Sequence, residues 1–127
     1  MKKTDAQLKK KLWKIFSEYI RRRDKGICFT CGVQMDWKYG DAGHFIPKSV
    51  GGLALYFHEH NVHFQCKRCN MPPLCGNQYI YGKYIEKRYG EAILLELEAL
   101  KRQTTKYYPY ETQIEYYKKQ LELLDAQ

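Results

Sequence analysis

The chain has little that would place it in a membrane. None of its apolar runs approaches the roughly 20 residues of a spanning helix. It has no repeat at a fixed period and no low-complexity tract. Carboxylates are outnumbered: 14 Asp and Glu stand against 22 Lys and Arg, a formal charge of +8, with a pI near 9.2. Such an excess favours a polyanionic partner, although charge alone leaves a merely soluble basic protein open. A secretory signal is not expected. Met1-Lys2-Lys3 is basic, but the stretch from Leu8 to Phe16 is too interrupted by lysine to be an apolar h-region. A cytosolic location follows as the expectation, and there paired cysteines favour metal over disulfide. The βαβ setting of a thioredoxin-like redox pair is also missing. At 127 residues the chain reads as one domain.

What is present centres on residues 28–77. Cys28-Phe-Thr-Cys31 and Cys66-Lys-Arg-Cys69 bracket all four histidines. A Cys-x-x-Cys turn brings two thiolates to one side of the chain, and two such knuckles supply the four soft ligands of a tetrahedral zinc site. Cys75 is the fifth cysteine and is expected to be a partly buried free thiol. The gap between the knuckles is long for a simple ribbon, so something folds between them.

Around this centre the periodicity is helical. Leu8, Leu12, Ile15, Phe16, Tyr19 and Ile20 predict a helix over 5–23, with Thr4 and Gln7 as a capping box. Lys9, Lys10, Lys11 and Lys14 crowd its other faces and Arg21-Arg22-Arg23 closes it, either as a solvated face or as a phosphate-contacting surface. Residues 33–37 predict a short strand, 38–41 a turn, and 43–46 a strand stopped by Pro47. Residues 53–57 are a strand or a packed loop; their pattern does not decide. Asn61 opens another strand, with His63 on its face by alternation, and Pro72-Pro73 interrupt whatever helix follows Cys69. Helices are predicted over 78–89, 91–102 and 111–125. The last either packs into the core or pairs with a second copy of the chain. Twelve tyrosines offer stacking surfaces for bases, with packing the simpler account.

The runs Ala42-Gly-His-Phe45, Asn61-Val-His-Phe-Gln-Cys-Lys-Arg-Cys-Asn70 and Tyr19-Ile-Arg-Arg-Arg-Asp24 resemble the phage NinG/Rap family, within the HNH or ββα-metal nuclease superfamily. The resemblance covers roughly residues 8–90 in outline. It implies an α+β fold: a zinc-stapled ββα-metal, treble-clef-like core over 26–77, flanked by a basic N-terminal helix over 1–25 and C-terminal helices over 78–127. It implies a metal-dependent endodeoxyribonuclease that cuts branched recombination intermediates, of Holliday-junction or D-loop type, in the cytoplasm of a phage host.

The roles follow from the same resemblance. His44 falls at the general base, and a neutral imidazole suits that task. Asn61 fixes the loop that aims it, and His63 is close enough in pattern to touch the active site or a phosphate. Asn70, directly after the last cysteine, falls at a ligand of the catalytic metal. Many relatives carry Asp immediately before the base, but here that position is Gly43. Asp41, two residues upstream and on the same strand face, is the candidate carboxylate for Mg2+ or Mn2+. Expected DNA contacts are Lys14, Arg21, Arg22, Arg23, Lys48, Lys67 and Arg68. The rival expectation is a non-catalytic zinc module binding DNA or RNA, in which Gly43 marks a dead site. Two symmetric cuts at a junction would require two copies of the chain.

Overall fold

The computed structural model describes residues 2–103 and 107–127. Helix α1 spans Asp5–Arg23, with Thr4 Oγ1 accepting from the Gln7 N–H while Gln7 Oε1 accepts from the Thr4 N–H, the reciprocal capping box expected from the sequence. Strand β1 is Asp41–His44 and β2 is Val62–Gln65. They pair antiparallel, with Asp41 opposite Gln65, Gly43 opposite His63, and His44 opposite Val62. Helix α2 is Leu53–Tyr56, α3 Lys67–Asn70, α4 Gln78–Tyr89, α5 Glu91–Leu100 and α6 Tyr110–Asp125. This is an α+β arrangement. No helix among the described residues is long and apolar enough to cross a membrane.

Several expectations shift. Residues 33–37 form only an isolated bridge, Ile27 to Gln34, followed by a 3-10 turn over Trp37–Tyr39. The first strand begins at Asp41 rather than Gly43, because that turn ends at Gly40, where Phe64 packs too close for any side chain. Residues 53–57 are neither strand nor loop: α2 forms as one helical turn between Gly52 and Phe57. The chain does restart near Asn77, which sits in the left-handed region at φ 53° ahead of α4.

Alternation divides the sheet. Ala42 and Val62 face α1 and join Leu12, Phe16, Ile20, Ile114 and Tyr117 in one buried cluster, so α1 and α6 close that side. The opposite face carries Asp41, Gly43, His63 and Gln65. Phe29, Ile46, Leu55, Tyr81, Ile85 and Leu97 form a second cluster under α4 and α5. Phe64 packs with Cys28, Cys66 and Cys69 in a third. The first knuckle is held to β2 directly, since the Phe29 N–H donates to the Phe64 carbonyl at 2.9 Å. Gly26 makes the turn into it: its φ is 70°, and a Cβ would lie 1.9 Å from the Met35 carbonyl oxygen.

Candidate metal centre and active-site residues

The four knuckle sulfurs lie within 4.8 Å of one another. A tetrahedron with bonds of about 2.3 Å has edges of about 3.8 Å, and Cys31 Sγ to Cys66 Sγ is 3.7 Å. Donor set and spacing therefore suit a metal ion such as zinc. Burial pushes the Cys28 thiol up, but hydrogen bonds from Thr30 and nearby backbone N–H groups bring it down to about 6. Burial dominates at Cys69 and holds its thiol near 12. A bound divalent cation relieves such penalties by favouring thiolate at every ligand. Cys75 differs from expectation: it is exposed, at φ 47° in the turn after the prolines, and outside the cluster.

His44 ends β1 and faces α1. Its ring stacks on Trp13 at 5.3 Å between centroids, and its Nε2 lies 2.9 Å from the Tyr56 carbonyl. A carbonyl only accepts, so Nε2 carries the proton and Nδ1 is left with its lone pair. Burial is the main cause that lowers its pKa, to about 4, and Lys48 adds to it. Asn61 is fully buried and makes side-chain bonds to backbone on both flanks of the intervening loop. Its Oδ1 accepts from the Ile46 N–H at 2.8 Å, and its Nδ2 donates to the carbonyls of Ile46 and Leu55. That clamp sets Tyr56 under the His44 ring.

His63 sits elsewhere. It is fully buried, stacked on Phe29 at 3.9 Å, with Nδ1 3.1 Å from the Tyr81 hydroxyl and Nε2 2.7 Å from the Tyr89 hydroxyl. Tyr81 gives its hydrogen to the Gly43 carbonyl at 2.7 Å. His63 therefore donates from Nδ1 and accepts at Nε2, both nitrogens engaged inside the core. Burial, with Arg23 and Arg88 nearby, lowers its pKa to about 2.

Asp41 and Asn70 meet. Asn70 Nδ2 donates to Asp41 Oδ2 at 3.0 Å, and Lys67 Nζ pairs with Asp41 Oδ1 at 2.5 Å. Asn70 closes the short α3 rather than opening a helix, because the chain leaves helical geometry at Met71, ahead of Pro72-Pro73. Its Oδ1 lies 2.9 Å from where a Gly43 Cβ would be. Alternation puts His44 on the face opposite this pair, one residue along from Gly43.

The expected DNA contacts separate. Lys14 and Arg21 line a groove of about 720 Å³ along α1, together with Lys3, Lys10, Lys11 and Trp13. Lys48 is exposed, with its Nζ 5.9 Å from the Trp13 and Tyr56 rings, near His44. Lys67 and Arg68 are exposed on the second knuckle. Arg22 pairs with Glu18 and Asp125. Arg23 turns inward: it pairs with Asp24 and donates to the carbonyls of Glu59 and Val62.

Gln65 escaped the sequence reading. It is fully buried, Nε2 donates to Thr30 Oγ1 at 3.1 Å and to the Gly76 carbonyl at 2.8 Å, and Oε1 has no partner among the described residues. That oxygen lies 2.0 Å from the Gly43 Cβ position. The available signal was its place opposite Asp41, which requires the strand register.

The chain matches, over residues 1–126, the model of a family described as Bacteriophage Lambda NinG protein. It is 34% identical over 82 residues to Protein ninG of Salmonella phage P22 and 33% identical over 82 residues to Protein ninG of Escherichia phage lambda. Each match covers 64% of this chain but 39% of the relative, so the chain spans well under half the length of these curated proteins. No solved structure matches. With the family model matched across almost the whole sequence, and the knuckles and the Asp41-to-His44 strand within that span, the protein belongs to the NinG family.

Proposed function

We propose that this chain is a divalent-metal-dependent DNA endonuclease with a zinc-stapled ββα-metal (HNH) core, acting on branched recombination intermediates such as Holliday junctions or D-loops. The observation that carries the reading is the meeting of Asp41 on β1 with Asn70 on α3, on the same short strand as an imidazole, three residues on, that is kept neutral and aimed by a backbone carbonyl. β1, β2 and α3 would be the two strands and helical turn of that core. β1 has no strand on its other edge among the described residues. A phosphate at that edge would lie between His44 on one face and the Asp41–Asn70 oxygens on the other.

The roles follow from the chemistry of each group. His44 Nδ1 accepts the proton of the attacking water, while the Tyr56 carbonyl holds Nε2–H and fixes the tautomer. Asn61 clamps the loop that carries Tyr56. Asp41 and Asn70 offer the oxygen donors that a hard cation needs. A magnesium or manganese ion held there would supply Lewis-acid stabilisation of charge on the phosphate and the leaving 3′ oxygen. The products are a 5′ phosphate and a 3′ hydroxyl. The α1 groove, joined to His44 through Trp13, leads the DNA backbone to the base.

The test incubates purified protein with a labelled four-way junction, its component duplex and single strands, with magnesium, manganese or chelator. Cleavage that prefers the junction and stops with chelator is the expected result. Binding without cleavage under any metal would overturn the reading in favour of a non-catalytic zinc module.

A further inference from the structure

The buried amide of Gln65 poses a problem that the sheet does not solve. Nε2 has two partners, one of them the Gly76 carbonyl, which only accepts, so turning the amide over would set oxygen against oxygen there. The carbonyl oxygen is thereby aimed at Gly43 and left without a donor among the described residues. A buried carbonyl without a donor is costly and calls for an occupant that accepts its lone pairs. Two oxygens converge on one notch. Gln65 Oε1 and Asn70 Oδ1 lie 2.0 and 2.9 Å from the position a Gly43 Cβ would take. The Asp41 carboxylate stands beside Asn70, accepting from Asn70 Nδ2 and pairing with Lys67 Nζ, and a cation would take the place of that ammonium. All three residues offer oxygen. Such a set suits a hard divalent cation and disfavours soft ones.

We propose that Gln65 Oε1 is a third protein ligand of a divalent cation in the notch over Gly43, and that Thr30 ties this ligand to the zinc knuckle. The proposal rests on the cation site of the function proposed above and extends it to a residue outside the Asp41–Asn70 pair. Glycine at 43 is then required: any side chain would occupy the space in which Gln65 presents its oxygen. Thr30 Oγ1 accepts from Gln65 Nε2 and lies 3.5 Å from Cys28 Sγ. Its own hydrogen is free for the sulfur, giving the chain Nε2–H to Oγ1–H to thiolate. The knuckle therefore fixes the rotamer of the glutamine, and the two metal sites share one hydrogen-bonded path.

The experiment titrates Mn2+ into the zinc-loaded protein and reads free Mn2+ by electron paramagnetic resonance, with zinc content and thermal melting measured in parallel. Wild type should bind one manganese per chain. Gln65→Leu and Gly43→Ala should each weaken that binding at least about tenfold, and Thr30→Val by about tenfold, the range for supporting partners of a metal site. All three should keep their zinc. Thr30→Val leaves both the glutamine and Gly43 in place, so it answers the case in which Gln65→Leu or Gly43→Ala misfolds. Wild-type affinity in both Gly43→Ala and Gln65→Leu would overturn the proposal and assign the notch to a buried water. So would the absence of manganese binding to wild type. DNA cleavage by the same wild-type preparation tests the function separately: a protein that cuts but is indifferent to Gln65 loses only this ligand.

Discussion

An imidazole serves as a base only while it is neutral, and its surroundings decide over what pH range that holds. His44 is buried against Trp13, which lowers its pKa from 6.5 to about 4. His44→Ala should keep zinc and fold, and lower cleavage about 10²–10⁴-fold, the usual share of a general base. The acid limb of the wild-type rate should fall below the ordinary imidazole range, and a midpoint near 6.5 would show the ring to be solvated. His63 makes the opposite prediction. Its pKa is lowered in the fold, so the unfolded chain binds more protons below about 6.5 and stability falls as pH drops through that range. His63→Phe should flatten the loss of melting temperature between pH 6.5 and 4, whatever it does to cleavage. At this scale the four cysteines are legible from their spacing, whereas His44, Asp41 and Asn70 stand out in the sequence only through the family resemblance. Gln65 is not legible, because an uncharged amide carries no signal until the register places it opposite Asp41.

Among the elements, those with a full period of apolar residues can be read directly. The expected and observed limits of α1 coincide, since its capping box and its closing arginines both declare themselves. The single turn α2 and the 3-10 turn over Trp37–Tyr39 are too short to show a period and form because the chain around them is pinned. The arginine run at the end of α1 reads as one charge cluster, but a helix rotates successive residues by about 100°. Arg21 reaches the groove, Arg22 an exposed ion pair and Arg23 the interior. Charge reversal should separate them. Lys10→Glu, Lys14→Glu and Arg21→Glu together should flatten the salt dependence of DNA binding, by nearly one unit of slope per lost phosphate contact. An unchanged slope returns the groove to an ordinary solvated face. Arg23→Glu should instead lower the melting temperature, because it sets a carboxylate beside Asp24, Glu59 and two carbonyls.

On the scale of the whole molecule, three small apolar clusters surround the two-stranded sheet, and one of them is made largely of cysteine. Isolated pairs of short strands are marginal in water, so β1 and β2 depend on what is packed against them. α1 and α6 cover one face. The knuckles hold β2 as well: the Phe29 N–H bonds to the Phe64 carbonyl, Cys66 follows directly on Gln65, and Phe64 packs among the sulfurs. The periodicity that reveals the helices is silent on this dependence, which arises from contacts about 35 residues apart in sequence. Without a metal ion the knuckles would crowd four thiols within 4.8 Å, with burial raising the pKa of two of them. The knuckles should open, and β2 should lose its anchor while α1 and α6 keep their mutual apolar face. Chelator-treated protein should therefore retain much of its helical circular dichroism, lose cooperative thermal unfolding, and expose five reactive thiols in place of one, Cys75. Zinc added back should restore a single sharp transition. A metal-free chain that melts as sharply as the zinc form, with four thiols still protected, would show that the apolar clusters hold the sheet without the metal.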